Sequence, residues 1–277
     1  MPQRILHVLS QRPGRTGSGV ILDTLVRHAA SRGYAQKIVI GIPASEPVPE
    51  VGGLGGDAVA PLRFETGALD FSVPGMSDVM PYPSTVWSTM TDAQLARYRS
   101  AWRSHLEEIV ASFRPDLIHA HHIWLMSSML RDIAPAAPIL LQCHGTGLRQ
   151  MALCPSLAPE VRRGCARADA FQVLREDHVD ELTAELGVDR SRVHVVPAGF
   201  REDLFYTDAE SPRESRSLLY VGKYSHAKGL PQLLDTFERL NGAHLHVAGD
   251  GSGNEAEALR ARMTGMSGVT LHGQVDQ

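Results

Sequence analysis

The chain has 277 residues, room for about two domains of ordinary size. Hydrophobic residues at 43% and charged residues at 21% exclude a mostly disordered chain, and 27 basic against 31 acidic side chains, net charge −4, give no overall field for nucleic acid or anionic lipid. The three cysteines, Cys143, Cys154 and Cys165, form no CxxC pair and are odd in number, which points away from a disulfide framework and toward reduced thiols in the cytoplasm.

The start, MPQRILHVLSQRPGR, has an apolar stretch too short for a signal peptide, and no uninterrupted apolar run approaches the ~20 residues that span a bilayer. Arg4–Leu9 reads as a strand, followed by the turn-rich PGRTGSG of Pro13–Gly19. Leu22, Leu25, Val26 and Ala29 then recur at helical spacing up to Gly33, a C-cap candidate. The run KIVIGI at Lys37–Ile42 suits a strand buried on both faces. This β-loop-α-β order, repeated along the chain, predicts parallel sheets with helices on both sides.

Between Pro43 and Pro83 glycine and proline are dense, with one short strand expected near Val59–Phe64; the rest reads as a functional loop or a surface excursion. Thr91 and Gln94 form a capping box. Leu95, Tyr98, Trp102, Leu106, Ile109 and Phe113 mark one face of the helix that follows. Its opposite face carries Arg97, Arg99 and Arg103, either a solvated surface or a contact for an acidic acceptor or the inner face of a membrane. Strands are expected at Leu117–His121, Ile139–Cys143, Phe171–Leu174 and Val193–Val196. The polar stretch from Tyr206 reads as a linker over 206–216, between a first domain at 1–205 and a second at 217–277. The second domain reads as strand Leu218–Val221, helix Leu230–Leu240, strand His244–Ala248, helix Glu255–Met263 and strand Val269–His272.

Four groups of residues carry candidate chemistry. Gly17, Ser18 and Gly19 sit where a strand-to-helix turn can offer N–H groups to an anion, although the spacing fits neither GxGxxG nor GxxxxGK[ST]. His119 and His121 in HAHH would point the same way from a strand, as metal ligands do, but no later carboxylate or histidine has a matching spacing, so no metal is expected. His144 ends a strand at the edge where open α/β sheets bind ligands, with Gly145 and Gly147 turning the backbone beneath it. Lys223 and Lys228, framed by Gly222 and Gly229, lie where both could reach one anion at a helix start.

PDLIHAHH, the strand ending in His144-Gly145, VHVVPAGFREDLF, YVGKYSHAKGLPQLLDTF and LHVAGDG together resemble the retaining glycosyltransferases of family four. The resemblance implies the GT-B fold: α/β, two Rossmann-like domains with parallel sheets, here with the second incomplete. It implies transfer of a hexosyl group from a nucleotide diphosphate sugar to a hydroxyl of a glycan, lipid-linked or small-molecule acceptor, with retention and without cofactor or metal. Lys223 and Lys228 match the pair that grips the donor diphosphate, with Gly222 beside them. His144 matches the histidine beside the transferred sugar, and Gly17, Ser18 and Gly19 match the turn that faces the distal phosphate. Lysine at 223, where many members have arginine, keeps the charge but loses the bidentate fork.

The family's second domain continues through a motif of glutamate, seven residues, then glutamate, whereas only three strands of that sheet are expected before Gln277, leaving about a hundred residues of the pattern unmatched at ~30 per βα unit. The second function considered is therefore a non-catalytic relative that binds a glycan, a nucleotide or a partner protein. An incomplete second sheet is also expected to favour self-association beyond Leu218.

Overall fold

In the computed structural model, which describes residues 3–14, 16–78, 80–202, 204–207, 215–251 and 253–275, the chain divides into two compact units, Met1–Phe200 and Arg201–Gln277. The stretch expected as a linker falls mainly on 208–214, outside the described residues. No described helix is long and apolar enough to cross a membrane.

Unit 1 runs β1 (Arg4–Leu9), α1 (Gly17–Ser31), β2 (Ala35–Pro43), β3 (Val59–Phe64), α2 (Asp92–Phe113), β4 (Leu117–His121), α3 (Leu125–Ser128), α4 (Leu130–Ile133) and β5 (Ile139–Cys143). It continues with α5 (Thr146–Leu153), α6 (Ala158–Cys165), β6 (Ala170–Val173), α7 (Asp177–Leu186) and β7 (Val193–Val195). The seven strands are all parallel, in the order β3-β2-β1-β4-β5-β6-β7. From β1 the chain builds outward to β2 and β3, then α2 carries it back to place β4 on the other side. The order therefore reverses between β1 and β4, and at such a reversal the loops leaving the carboxyl ends diverge and open a crevice.

Strand alternation splits the side chains between two layers. Leu6, Val8, Ile118, Ala120, Leu141, Cys143, Phe171 and Val173 pack against α2 to α7 in one large core that includes Trp87, Trp102 and Trp124. On the opposite face, Leu9, Ile38, Ile40 and Ile42 pack against Leu22 and Val26 of α1. His7 and Leu9 alternate with Leu6 and Val8, and His119 and His121 alternate with Ile118 and Ala120, so these histidines share the α1 face. The capping box at α2 forms as expected: Gln94 N–H donates to Thr91 Oγ1 at 3.2 Å, and Thr91 N–H to Gln94 Oε1 at 2.9 Å. The glycine-proline segment is not a surface excursion, because Leu69, Phe71, Val73 and Met76 are buried in the large core.

Unit 2 runs β8 (Ser217–Val221), α8 (Leu230–Phe237), β9 (His244–Ala248), α9 (Asn254–Thr264) and β10 (Val269–Gly273), a parallel sheet in the order β10-β9-β8. Leu230, Leu234, Phe237, Leu245, Val247, Leu259 and Met263 form its core. Strand β8 is an outer strand whose Leu219 and Val221 are 69% and 70% exposed.

Candidate functional site

The middle and carboxyl end of β1 and β4, with the residue that follows β5, bring five histidines together. His7 and His119 are register partners on β1 and β4, with ring centroids 5.7 Å apart. His119 and His121 follow at 4.8 Å, and His121 stacks on His144 at 5.4 Å with its Nδ1 3.2 Å from His144 Nε2. His122, just past β4, lies 4.7 Å from the His144 ring. It holds φ of 70°, a left-handed conformation rare for a residue with a side chain. Three contacts fix it there: its N–H donates to Gln142 O at 2.9 Å, its O accepts from Ser127 Oγ at 2.6 Å, and its Nδ1 lies 3.1 Å from Thr146 Oγ1.

Beneath His144 the two glycines act differently. Gly145 holds φ of 79°, the sharp turn that redirects the chain into α5, and a Cβ there would sit 3.5 Å from His178 Cε1. Gly147 permits close approach, since a Cβ would collide with the carbonyl of Ile123. The α5 N-terminus, capped by no side chain, is thereby held against the end of β4 next to His144.

Burial dominates the electrostatics. Loss of hydration lowers His7 and His144 to about 4 and His119 to about 3, and moves His121 and His122 well below 6.5. All five imidazoles are therefore neutral near pH 7, able to accept at one nitrogen and donate from the other. His144 alone of the five is partly exposed. The Gln142 amide lies beside His119 without a hydrogen bond of good geometry.

The glycine turn after β1 is closed more tightly than its sequence implied. Gly19 N–H donates to Thr16 Oγ1 at 3.2 Å, and a Cβ at Gly19 would press on Pro13 and Gly14. Ser18 Oγ accepts from Gln11 Nε2 at 2.8 Å, while Gln11 Oε1 accepts from Met76 N–H at 3.1 Å. Gly17 is the open position of the three, with nothing near its missing Cβ.

In unit 2, Gly222 meets Gly249: its N–H donates to Ala248 O at 3.0 Å, and a Cβ on Gly249 would collide with its carbonyl. The loop from there to α8 carries Lys223 and Lys228, both exposed and with no ion pair to a described residue. Gly229 at φ 71° begins α8 without a side-chain cap, so Lys228 adjoins a helix start whose dipole favours an anion.

A depression of about 640 Å³ lies instead on the helix layer, lined by Arg99, Arg103, Asp132, Glu160, Arg163 and Arg167. Most of its charge is already matched, by the Arg99–Glu160 pair at 2.6 Å and the Arg167–Asp132 pair at 2.5 Å. We place the candidate site at the carboxyl edge, where the neutral histidines converge. Sequence reasoning missed His7, His122, Thr146 and His178 there. His122 had a signal in HAHH, whereas His7 had none, because only sheet pairing brings it beside His119.

Parallel-sheet α/β units of this kind, with ligand-binding loops at the strand ends, define the GT-B class of fold. Residues 16–199 match the model of the glycosyl transferase 4-like domain, and the chain belongs to that family. The match includes Gly17, Ser18, Gly19 and His144 and ends before Lys223 and Lys228. Among solved structures, the chain is similar to sucrose-phosphate synthase from Thermosynechococcus elongatus (16% identity, 99% of this chain and 71% of that one, TM-score 0.67). It is also similar to Anabaena HepE in complex with UDP and glucose (15%, 98% and 69%, TM-score 0.60). UDP-GlcNAc 2-epimerase from Neisseria meningitidis bound to UDP-GlcNAc matches as well (12%, 99% and 73%, TM-score 0.58). No curated protein matches the sequence.

Proposed function

We propose that this glycosyl transferase 4-like chain passes a hexosyl group from a nucleotide diphosphate sugar to an acceptor hydroxyl, with retention of configuration. The bond from the anomeric carbon to the diphosphate oxygen breaks, and a bond to the acceptor oxygen forms on the same face. The acceptor's proton passes to the departing diphosphate. Lys223 and Lys228 hold that diphosphate and stabilise the charge it gains, which is where fixed cations lower a barrier most. His144, neutral and half-buried, stands beside the transferred sugar as a hydrogen-bonding group. Gly17 contributes the open part of the first glycine turn.

The observation that carries the donor half is the pair of unmatched lysines leading into the uncapped start of α8. HepE with UDP and glucose, and the epimerase with UDP-GlcNAc, support a nucleotide sugar as the ligand class. The test is release of nucleotide diphosphate from UDP-glucose, GDP-mannose and ADP-glucose, with sugar acceptors added in turn and the product's anomeric proton read by NMR. Acceptor-dependent release with a retained anomer is expected from at least one donor. An inverted product, or no release from any of the three, would overturn the reading.

A further inference from the structure

The α1 face of the first sheet holds three imidazole nitrogens shut off from solvent and without a hydrogen-bond partner: His7 Nδ1, His119 Nε2 and His121 Nε2. Two of these rings are held by their other nitrogen. Gln36 Nε2 donates to Val26 O at 3.0 Å, which turns its amide oxygen toward His7 Nε2, also at 3.0 Å. His7 Nε2 therefore carries the proton, and Nδ1 presents a bare lone pair. His121 Nδ1 is engaged with His144 Nε2 at 3.2 Å, which leaves His121 Nε2 facing inward. A buried polar nitrogen with no partner is costly, and here three of them are gathered on one face.

One ring nitrogen from each of His7, His119 and His121 can be chosen so that all three lie within 4.8 Å of one another. Three nitrogens ~2.0–2.1 Å from one tetrahedral ion stand about 3.3 Å apart, so side-chain rotations that shorten the longest separation by about 1.5 Å complete the set. We propose that His7, His119 and His121 bind one divalent ion of the zinc class, which ties β1 to β4 beneath His144. The donor set is all imidazole, which suits zinc and its neighbours and not magnesium or calcium. The thiol of Cys143 packs in the other layer of the sheet. Coordination at His121 Nε2 leaves the proton on Nδ1, so His121 donates to His144 Nε2 and fixes the orientation of that ring; a hydrogen bond to the second nitrogen is the usual support of a ligating histidine. This inference does not depend on the transfer reaction and stands if no sugar is transferred.

The untagged full chain, produced in medium supplemented with zinc and purified without chelator, is expected to hold one zinc per chain by elemental analysis. Produced with cobalt, it is expected to show the visible ligand-field bands of a four-coordinate, nitrogen-bound ion. His119→Ala should lower the bound zinc at least tenfold. His272→Ala should leave it unchanged, a control for the second histidine group at His244, His246 and His272. If His119→Ala does not fold, His7→Gln, which keeps a polar side chain beside Gln36, and the cobalt spectrum of the unaltered chain carry the test. A chain that emerges free of metal from both media overturns the proposal. So does zinc that persists undiminished in whichever of the His7→Gln and His119→Ala variants folds.

Discussion

The two sheets use the same β/α pattern and meet water in opposite ways. In β1 the run RILHVL is flanked by β2 and β4 and covered on both faces, so Leu6, Val8 and Leu9 are fully buried. In β8 the equally apolar SLLYV is an outer strand, and Leu218, Leu219 and Val221 are exposed. A strand's burial is thus set by how many strands and helices flank it; its own composition only permits that burial. The chemistry divides in the same way. Unit 1 encloses imidazoles that burial keeps neutral, while unit 2 presents lysines to solvent.

The largest expected effect is in the covered core. Trp102 is fully buried beside Tyr98, and Trp102→Ala should cost about 3–5 kcal/mol of unit 1 stability. Urea unfolding followed by fluorescence measures this cleanly, because Trp87, Trp102 and Trp124, the chain's three tryptophans, all lie in unit 1. A loss below about 1 kcal/mol would mean that the core closes around the gap.

Lys228→Ala should do the reverse, leaving the unfolding midpoint in place while lowering turnover. A lost contact to the departing diphosphate, ~2–4 kcal/mol, corresponds to ~30- to 1000-fold in rate, with a smaller rise in the donor's KM. Unchanged turnover would remove Lys228 from the reaction.

Acid should separate the units next. His7, His119 and His144 are lowered by burial to about 4, 3 and 4, below the 6.5 of an exposed imidazole. Between those values the unfolded chain binds more protons than the folded one. The stability of the metal-free chain should therefore be intact above about pH 6.5 and fall as pH drops toward 4. The slope is about 1.4 kcal/mol per pH unit for each such imidazole. Urea midpoints at pH 7, 6 and 5, read by tryptophan fluorescence, test this; a flat series would mean that these rings are hydrated.

The smallest effect belongs to β8. Leu219→Ser should change stability by less than about 0.5 kcal/mol, because the side chain already faces water. It should weaken any self-association seen by sedimentation, since an exposed apolar outer strand is a template for pairing. A loss of several kcal/mol would show that Leu219 is covered in solution.

Much of this molecule could be read from its amino acids. The strands β1, β3, β4, β5 and β9 fall at the expected residues, and α2 begins at its capping box, because alternation and capping are written in neighbouring positions. The short helices α3 to α7 were not read, and the reason is visible at their starts. Trp124, Met129, Gly145, Leu157 and Glu176 precede them, and none supplies a capping side-chain hydrogen bond. Packing of Leu125, Leu130, Met151, Val161 and Leu182 into the large core stabilises these helices, and packing of that kind leaves no local signature.

The site divides in the same way. His144, Lys223 and Lys228 stand out in sequence because strand ends and framing glycines mark them locally. His7 is separated from His119 by more than a hundred residues, and the two meet only because β4 pairs with β1 after the chain has built outward and crossed back. Sequence determined which residues could line a strand or start a helix, since those preferences act over a few positions. Tertiary structure alone decided which histidines share a face, and which of them lose their water, since pairing and burial are properties of the whole sheet.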